Sequence, residues 1–252
     1  MVHRSALVTG ASSGMGRGLA LALGARKVHV LVAARRKDKL AELVGEIVRG
    51  GGSAEAAELD VADSSATFEL VQALDRKHEL DLVIANAGVG DFTRARGLRF
   101  ADVKRVMDVN ALGAIATLTG ALDGMLARKR GQIVGVASVA GFLPGVPGLS
   151  AYAASKAALV SFLASLRIEL EGSGVIATTV CPGYVQTEMT AGNKSQSGML
   201  SVEAAVDHIM AAIDGEEDVR VFPRGMAMTV AVTPLMPAAL YSWIVRRQTK
   251  SL

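Results

Sequence analysis

Along this chain, short apolar runs alternate with longer amphipathic ones, and that alternation leaves few folds open. "SALVTG" reads as a buried strand ending in a glycine turn, and "KVHVLVAAR" as a second strand. "DKLAELVGEIVRGGG" follows, with Leu40, Leu43, Val44 and Ile47 on one helical face and glycines to stop it. "SAEAAELDV" reads as a third strand, and "SSATFELVQALDRKH" as a serine-capped amphipathic helix. "LDLVIANAG" is almost wholly apolar, as a strand buried on both faces must be. A long helical stretch from about Phe100 to Leu126 precedes the strand "GQIVGVAS"; a helix from about Ser150 to Glu171 precedes "VIATTVCPG", and "DVRVFP" completes the set. Strands alternating with helices predict an α/β fold, a doubly wound parallel sheet of about seven strands covered by helices on both faces. Right-handed crossovers restrict the topology further and put any ligand at the carboxyl ends of the strands. The expected organisation is one domain over residues 1–252. Three irregular segments, Gly88–Arg99, Phe142–Gly148 and Gln186–Ser201, each follow a strand and should gather on one edge of the sheet.

The turn after the first strand is "TGASSGMG", Thr9 to Gly16. Glycines at Gly10, Gly14 and Gly16 let the backbone turn tightly, and the following helix N-terminus presents amide hydrogens to a phosphate. Placed between strand and helix, the turn fits the dinucleotide-binding Rossmann arrangement. The same residues also spell G-x-S-x-G over Gly10–Gly14, the nucleophile elbow of a serine hydrolase with Ser12 as nucleophile. That reading needs a histidine from His29, His78 or His208, and it puts the nucleophile after the first strand. It is disfavoured on both counts.

"SAYAASKAAL" sets Tyr152 and Lys156 one helical turn apart on one face. A free phenol, with a pKa of about 10, is a poor proton donor at neutral pH, and a nearby ammonium lowers that value. The spacing predicts a phenol made acidic by Lys156 and so usable as an acid–base group.

With the glycine turn and "YAASK" together, the chain resembles the short-chain dehydrogenase/reductase family over nearly its full length. "LDV", "ANAG", "DVNALG", "VAS" and "CPGYVQT" occur in the family's order. The resemblance implies a catalytic tetrad of Asn110, Ser138, Tyr152 and Lys156. It also implies a nicotinamide dinucleotide held by Gly10, Ser12, Ser13, Gly14, Met15, Gly16, Asp60, Val61, Asn86, Ala87, Gly88, Pro182, Gly183, Val185 and Thr187, with Tyr152 and Lys156 contributing. In these roles Tyr152 exchanges a proton with the substrate oxygen, and Ser138 donates a hydrogen bond to it. Lys156 keeps the phenol acidic and holds the nicotinamide ribose, while Asn110 orders a water. The second strand ends in Ala34 rather than an acidic residue, followed by Arg35 and Arg36. Without a carboxylate to repel a 2′-phosphate, and with Arg35 able to pair with one, NADP(H) is expected over NAD(H). The implied reaction interconverts a ketone or aldehyde and its alcohol; a non-catalytic dinucleotide sensor or scaffold on the same fold is the alternative. Phe142, Leu143, Tyr184, Met189, Met199 and Leu200 suggest a small apolar carbonyl or alcohol substrate, beneath a lid at about 186–201.

Composition bounds the partners. The net charge of +3 is scattered and its basic clusters lack interleaved aromatics, so no nucleic acid is expected. The single cysteine, Cys181, excludes an intrachain disulfide framework and reads as a small core residue in a reducing, cytoplasmic setting. No apolar signal-peptide core precedes the first strand. The four histidines lack metal-ligand spacing, and no structural metal is expected. Gly225–Val245 is an uncharged run of 21 residues, followed by "RRQTK". Pro234 and Pro237 argue against one spanning helix, so burial against protein is expected first, with peripheral membrane contact as the alternative. Family resemblance implies a homodimer or homotetramer.

Overall fold

The structure, a computed structural model, describes residues 1–90, 92–191 and 199–249. A single parallel sheet of seven strands runs in the order β3-β2-β1-β4-β5-β6-β7. Its strands are β1 (Ser5–Thr9), β2 (His29–Ala34), β3 (Ser53–Glu58), β4 (Leu82–Ala85), β5 (Gly131–Val136), β6 (Val175–Pro182) and β7 (Val219–Phe222). The expectation of a doubly wound sheet is met. β1, β4 and β5 are buried along their whole length, which requires apolar side chains on both faces.

Two cores result, one on each face. Val8, Leu19, Val32, Ile84 and Ile209 pack on one side, beneath α1 (Gly14–Ala25), α2 (Lys37–Arg49) and α8 (Val202–Asp214). Leu7, Val71, Val83, Leu118 and Leu163 pack on the other, beneath α3 (Ser64–His78), α4 (Phe100–Met107), α5 (Ala114–Thr119), α6 (Leu122–Arg128) and α7 (Ser150–Glu169). α8 adds an element to those expected, with Ser201 as its cap and Val206, Ile209 and Ile213 on its buried face.

The stretch expected as one helix from Phe100 to Leu126 is interrupted twice. A π-helical turn occupies Asp108–Gly113, and the chain breaks again between Thr119 and Leu122. Among the described residues, two helical stretches, Phe100–Arg128 and Ser150–Glu169, are long and apolar enough to cross a membrane; the first is mostly buried in this fold and the second mostly not. The apolar tail forms two helices, α9 (Arg224–Val232) and α10 (Ala238–Thr249), separated by a 3-10 turn at Thr233–Leu235. Neither approaches the ~20 residues that a span requires.

Because β1 is flanked by β2 and β4, successive crossovers leave it in opposite directions. Such a switch point opens a crevice beyond the carboxyl ends of the strands.

Candidate active site

Thr9 ties the ends of β1 and β4 together. Its Oγ1 accepts from the amides of Asn86 (3.2 Å) and Ala87 (3.3 Å), and its carbonyl accepts from Asn86 Nδ2 at 3.0 Å. The glycine turn then passes very close to this junction. A Cβ on Gly10 would lie 2.7 Å from Ala87 Cα, and one on Gly16 would lie 2.4 Å from the Gly10 carbonyl oxygen. Gly10 also has φ +67°, a left-handed conformation that favours glycine. The N-cap of α1, Ser13, makes no side-chain capping bond and no acid lies in the first turn. The helix N-terminus therefore faces the crevice with its amide hydrogens uncapped by its own first-turn side chains.

The crevice is a cavity of about 590 Å³. Every residue expected in the site lines it except Gly16 and Asn110. Gly16 packs beneath the turn rather than facing the cavity. Asn110 is fully buried in the π-helical turn. Its Oδ1 accepts from Val89 N at 2.8 Å, and its Nδ2 donates to Val89 O at 2.9 Å and to Ser155 Oγ at 3.1 Å. Both amide protons are thus spent on fastening the loop after β4 to α7, leaving one lone pair of Oδ1.

Ser138, two residues beyond β5, accepts from Ala140 N at 3.2 Å, donates to Pro182 O at 3.4 Å, and lies near enough to the Tyr152 phenol to favour its ionised form. Lys156 is buried one turn further along α7, and its Nζ donates to Val136 O at 2.7 Å. The ammonium sits 5.9 Å from the centre of the Tyr152 ring. Burial works against the expected acidification by Lys156. It pushes the Tyr152 phenol above its ordinary value, and Ser138 only partly opposes that. Lys156 is itself desolvated and pushed down to about 8, so its charge is costly to hold.

Arg35 lies 3.9 Å from Asp60 across the cavity mouth. Arg36, to which the sequence pattern assigns no role, also lines the cavity. Its guanidinium donates to Ser12 Oγ (3.0 and 3.1 Å), to Ser13 Oγ (2.8 Å) and to Glu188 at 3.3 Å. The doublet "RR" was visible, but which arginine faces the turn depends on how the chain leaves β2. Glu188 and Arg105 are further lining residues without a motif signal.

Of the apolar residues expected around a substrate, Met189 lines the cavity. Leu143 instead faces a second cavity of about 660 Å³ between α7 and α10. Phe142, Tyr184, Met199 and Leu200 line neither. The base of the expected lid is pinned by Val185 bridging to Leu200, with Gln186 N donating to Leu200 O at 2.9 Å. Residues 192–198 of that segment lie outside the described residues.

Ser12 has Arg36 as its partner, not a histidine. His208 stacks on Phe222, while His29 and His78 stack on each other. The hydrolase reading therefore has no base. Cys181 is buried and its thiol is pushed up to about 12, as suits a core residue.

The family described as short chain dehydrogenase matches residues 4–198. This chain belongs to the short-chain dehydrogenase/reductase family. It is an oxidoreductase of that family, and among its relatives is an uncharacterized oxidoreductase of Myxococcus xanthus, 44% identical over 250 residues and covering 98% of each chain. A 3-oxoacyl-[acyl-carrier-protein] reductase of Synechocystis is 33% identical, over 94% of this chain and 91% of its own. A solved short-chain dehydrogenase from Sphingobium yanoikuyae in complex with NADPH superposes with a TM-score of 0.81 at 26% identity, covering 92% and 94%.

Proposed function

We propose that this chain interconverts a small carbonyl compound and its alcohol with NADP(H), using Tyr152 as the acid–base group. The observation that carries the reading is that Ser138, Tyr152 and Lys156 line the same cavity as the glycine turn. A nicotinamide dinucleotide fits this cradle: the uncapped start of α1 suits its pyrophosphate, and Gly10 and Gly16 keep the floor of the turn free of side chains. Bound there, it would supply or accept the hydride.

The residues of the chain handle the proton. In reduction, Tyr152 Oη gives its proton to the carbonyl oxygen as negative charge develops there. Ser138 Oγ hydrogen-bonds the same oxygen and stabilises that charge. Burial by itself makes the Tyr152 phenol a weaker acid. A cationic Lys156 beside it lowers the cost of the phenolate left behind. Asn110 holds the Val89 loop against α7 and so fixes the cavity wall.

Preference for NADP(H) rests on Ala34, Arg35 and Arg36. No carboxylate ends β2, and two guanidinium groups lie beside the place where a ribose 2′-phosphate would sit. The NADPH complex of the Sphingobium relative supports the same reading. In this reading the protein is cytoplasmic and assembles as a homodimer or homotetramer, for which the largely uncovered α7 offers a surface.

A panel of ketones and aldehydes, followed by loss of reduced-dinucleotide absorbance with NADPH and NADH in parallel, tests the reaction. Turnover with NADPH is expected for at least one apolar carbonyl. Ala34→Asp with Arg35→Ile should shift preference toward NADH. Equal binding of NADH and NADPH by the unaltered protein would remove the role given to the arginines.

A further inference from the structure

A second cluster of chemically active side chains lies away from the cavity, on the sheet face covered by α3. His29 opens β2 and pairs in register with Ser53 of β3. In a parallel ladder paired residues share a face, so Glu55, two residues beyond Ser53, lies on that face too. His78, the last residue of α3, reaches the same place. The rings of His29 and His78 stack with centroids 5.1 Å apart. His29 Nε2 lies 3.6 Å from one oxygen of Glu55, and His78 Nε2 lies 3.5 Å from the other.

Both Nε2 atoms are buried and neither has a hydrogen-bond partner. A buried polar nitrogen left unpaired costs free energy, and two facing one carboxylate need an explanation. Mutual ion pairing is a poor one. Two imidazolium rings stacked face to face, beside the ammonium of Lys77 at 2.9 Å from Glu55 Oε2, would repel one another.

His29 Nδ1 lies 2.9 Å from Ser53 Oγ. A proton on Nδ1, held by Ser53, leaves a lone pair on Nε2 directed into the cluster; this is the usual outer-shell device of a metal-binding histidine. The ligand atoms of the trio all lie within 4.8 Å of one another. A tetrahedral ion bound at about 2.0–2.2 Å separates its ligands by roughly 3.3–3.6 Å, and each Nε2 stands about that far from its own oxygen of Glu55.

We propose that His29, Glu55 and His78 bind a divalent transition-metal ion of the zinc class, with a fourth position open to water. Two imidazoles and one carboxylate are a borderline-soft set that suits zinc, cobalt or nickel rather than magnesium or calcium. The ion would serve the fold rather than the reaction. β3 is an edge strand of sequence "SAEAAE" with no fully buried residue, so little apolar packing holds it. An ion on Glu55 ties it to β2 and to the end of α3. Lys77 competes with the ion for the carboxylate. Nothing in the spacing of residues 29, 55 and 78 announces such a site, which explains why no metal was expected from the sequence.

The test is calorimetric titration of the tag-free, chelator-stripped full chain with Zn²⁺, with Co²⁺ absorption as a spectroscopic check. We expect one equivalent to bind, a rise in Tm, and four-coordinate Co²⁺ bands. His29→Gln, Glu55→Gln and His78→Gln should each weaken Zn²⁺ binding by at least ~10-fold. Lys77→Ala alters an exposed side chain, so it should fold and bind Zn²⁺ several-fold more tightly. Absence of stoichiometric binding, binding indifferent to His29→Gln and His78→Gln, or an unchanged affinity in Lys77→Ala would each overturn the proposal.

Discussion

The strand-end crevice and the C-terminal segment are both rich in apolar and small residues, yet they stand in opposite relation to solvent. At the crevice, β1, β4 and β5 are fully buried, and Thr9, Asn110 and Lys156 each hydrogen-bond to a neighbouring element. In the tail, Met228, Leu235 and Trp243 are 72%, 84% and 52% exposed. α10 reaches the body of the protein through Tyr241, whose hydroxyl donates to Gly145 O at 2.6 Å, and stands off from α7 across the second cavity. Apolar composition alone therefore does not specify a core. Strand residues are buried because the sheet presents two faces to covering helices, whereas the tail follows the last edge strand and has no second layer to enter.

The sharpest way to break that contrast is to cut into the crevice's support. Leu7→Ala in β1 removes a fully buried side chain and should cost about 2–5 kcal/mol, read as a lowered denaturant midpoint. Next in size is Tyr152→Phe, which keeps the ring and deletes the hydroxyl. Turnover should fall by at least ~10²-fold with the unfolding temperature unchanged. Near-normal turnover in that variant would end the proton-transfer scheme.

Lys156 sharpens the comparison through pH. Its native value of about 8 lies below the ordinary 10.5. Between those values the unfolded chain binds more protons than the native one, so this group makes stability rise with pH across that window. Unfolding of the dinucleotide-free protein on either side of the window should show the gain, and Lys156→Met should lose it. The smallest effect belongs to the tail: Leu235→Ala should change stability by no more than ~0.5 kcal/mol. A larger loss, or one that depends on protein concentration, would show that another copy of the chain covers this face.

Sedimentation of protein expressed without detergent separates the remaining readings of the tail. A soluble dimer or tetramer fits burial against protein. Recovery in the membrane fraction, with release on deleting residues 229–252, would identify an anchor.

Much of the architecture was legible because it is encoded over short distances. Apolar runs marked most of the strands, helical spacing marked α2 and α3, and "TGASSGMG" marked the tight turn into α1. The tetrad residues stood in recognisable order for the same reason. Their electrostatics did not. Spacing set Tyr152 and Lys156 one turn apart, but the phenol's proton affinity depends on how deeply both groups are desolvated. The interruptions near Asp108 and Gly120, and the assignment of Arg36 to Ser12 and Ser13, likewise depend on what other elements press against them. His29, Glu55 and His78 are the extreme case, since strand register and the end of a helix bring them together. Periodicity of two or of 3.6 residues is a property of the local chain, and the sequence by itself determined that much. Register, burial and the meeting of distant side chains arise only when the layers pack, and those the tertiary structure decided.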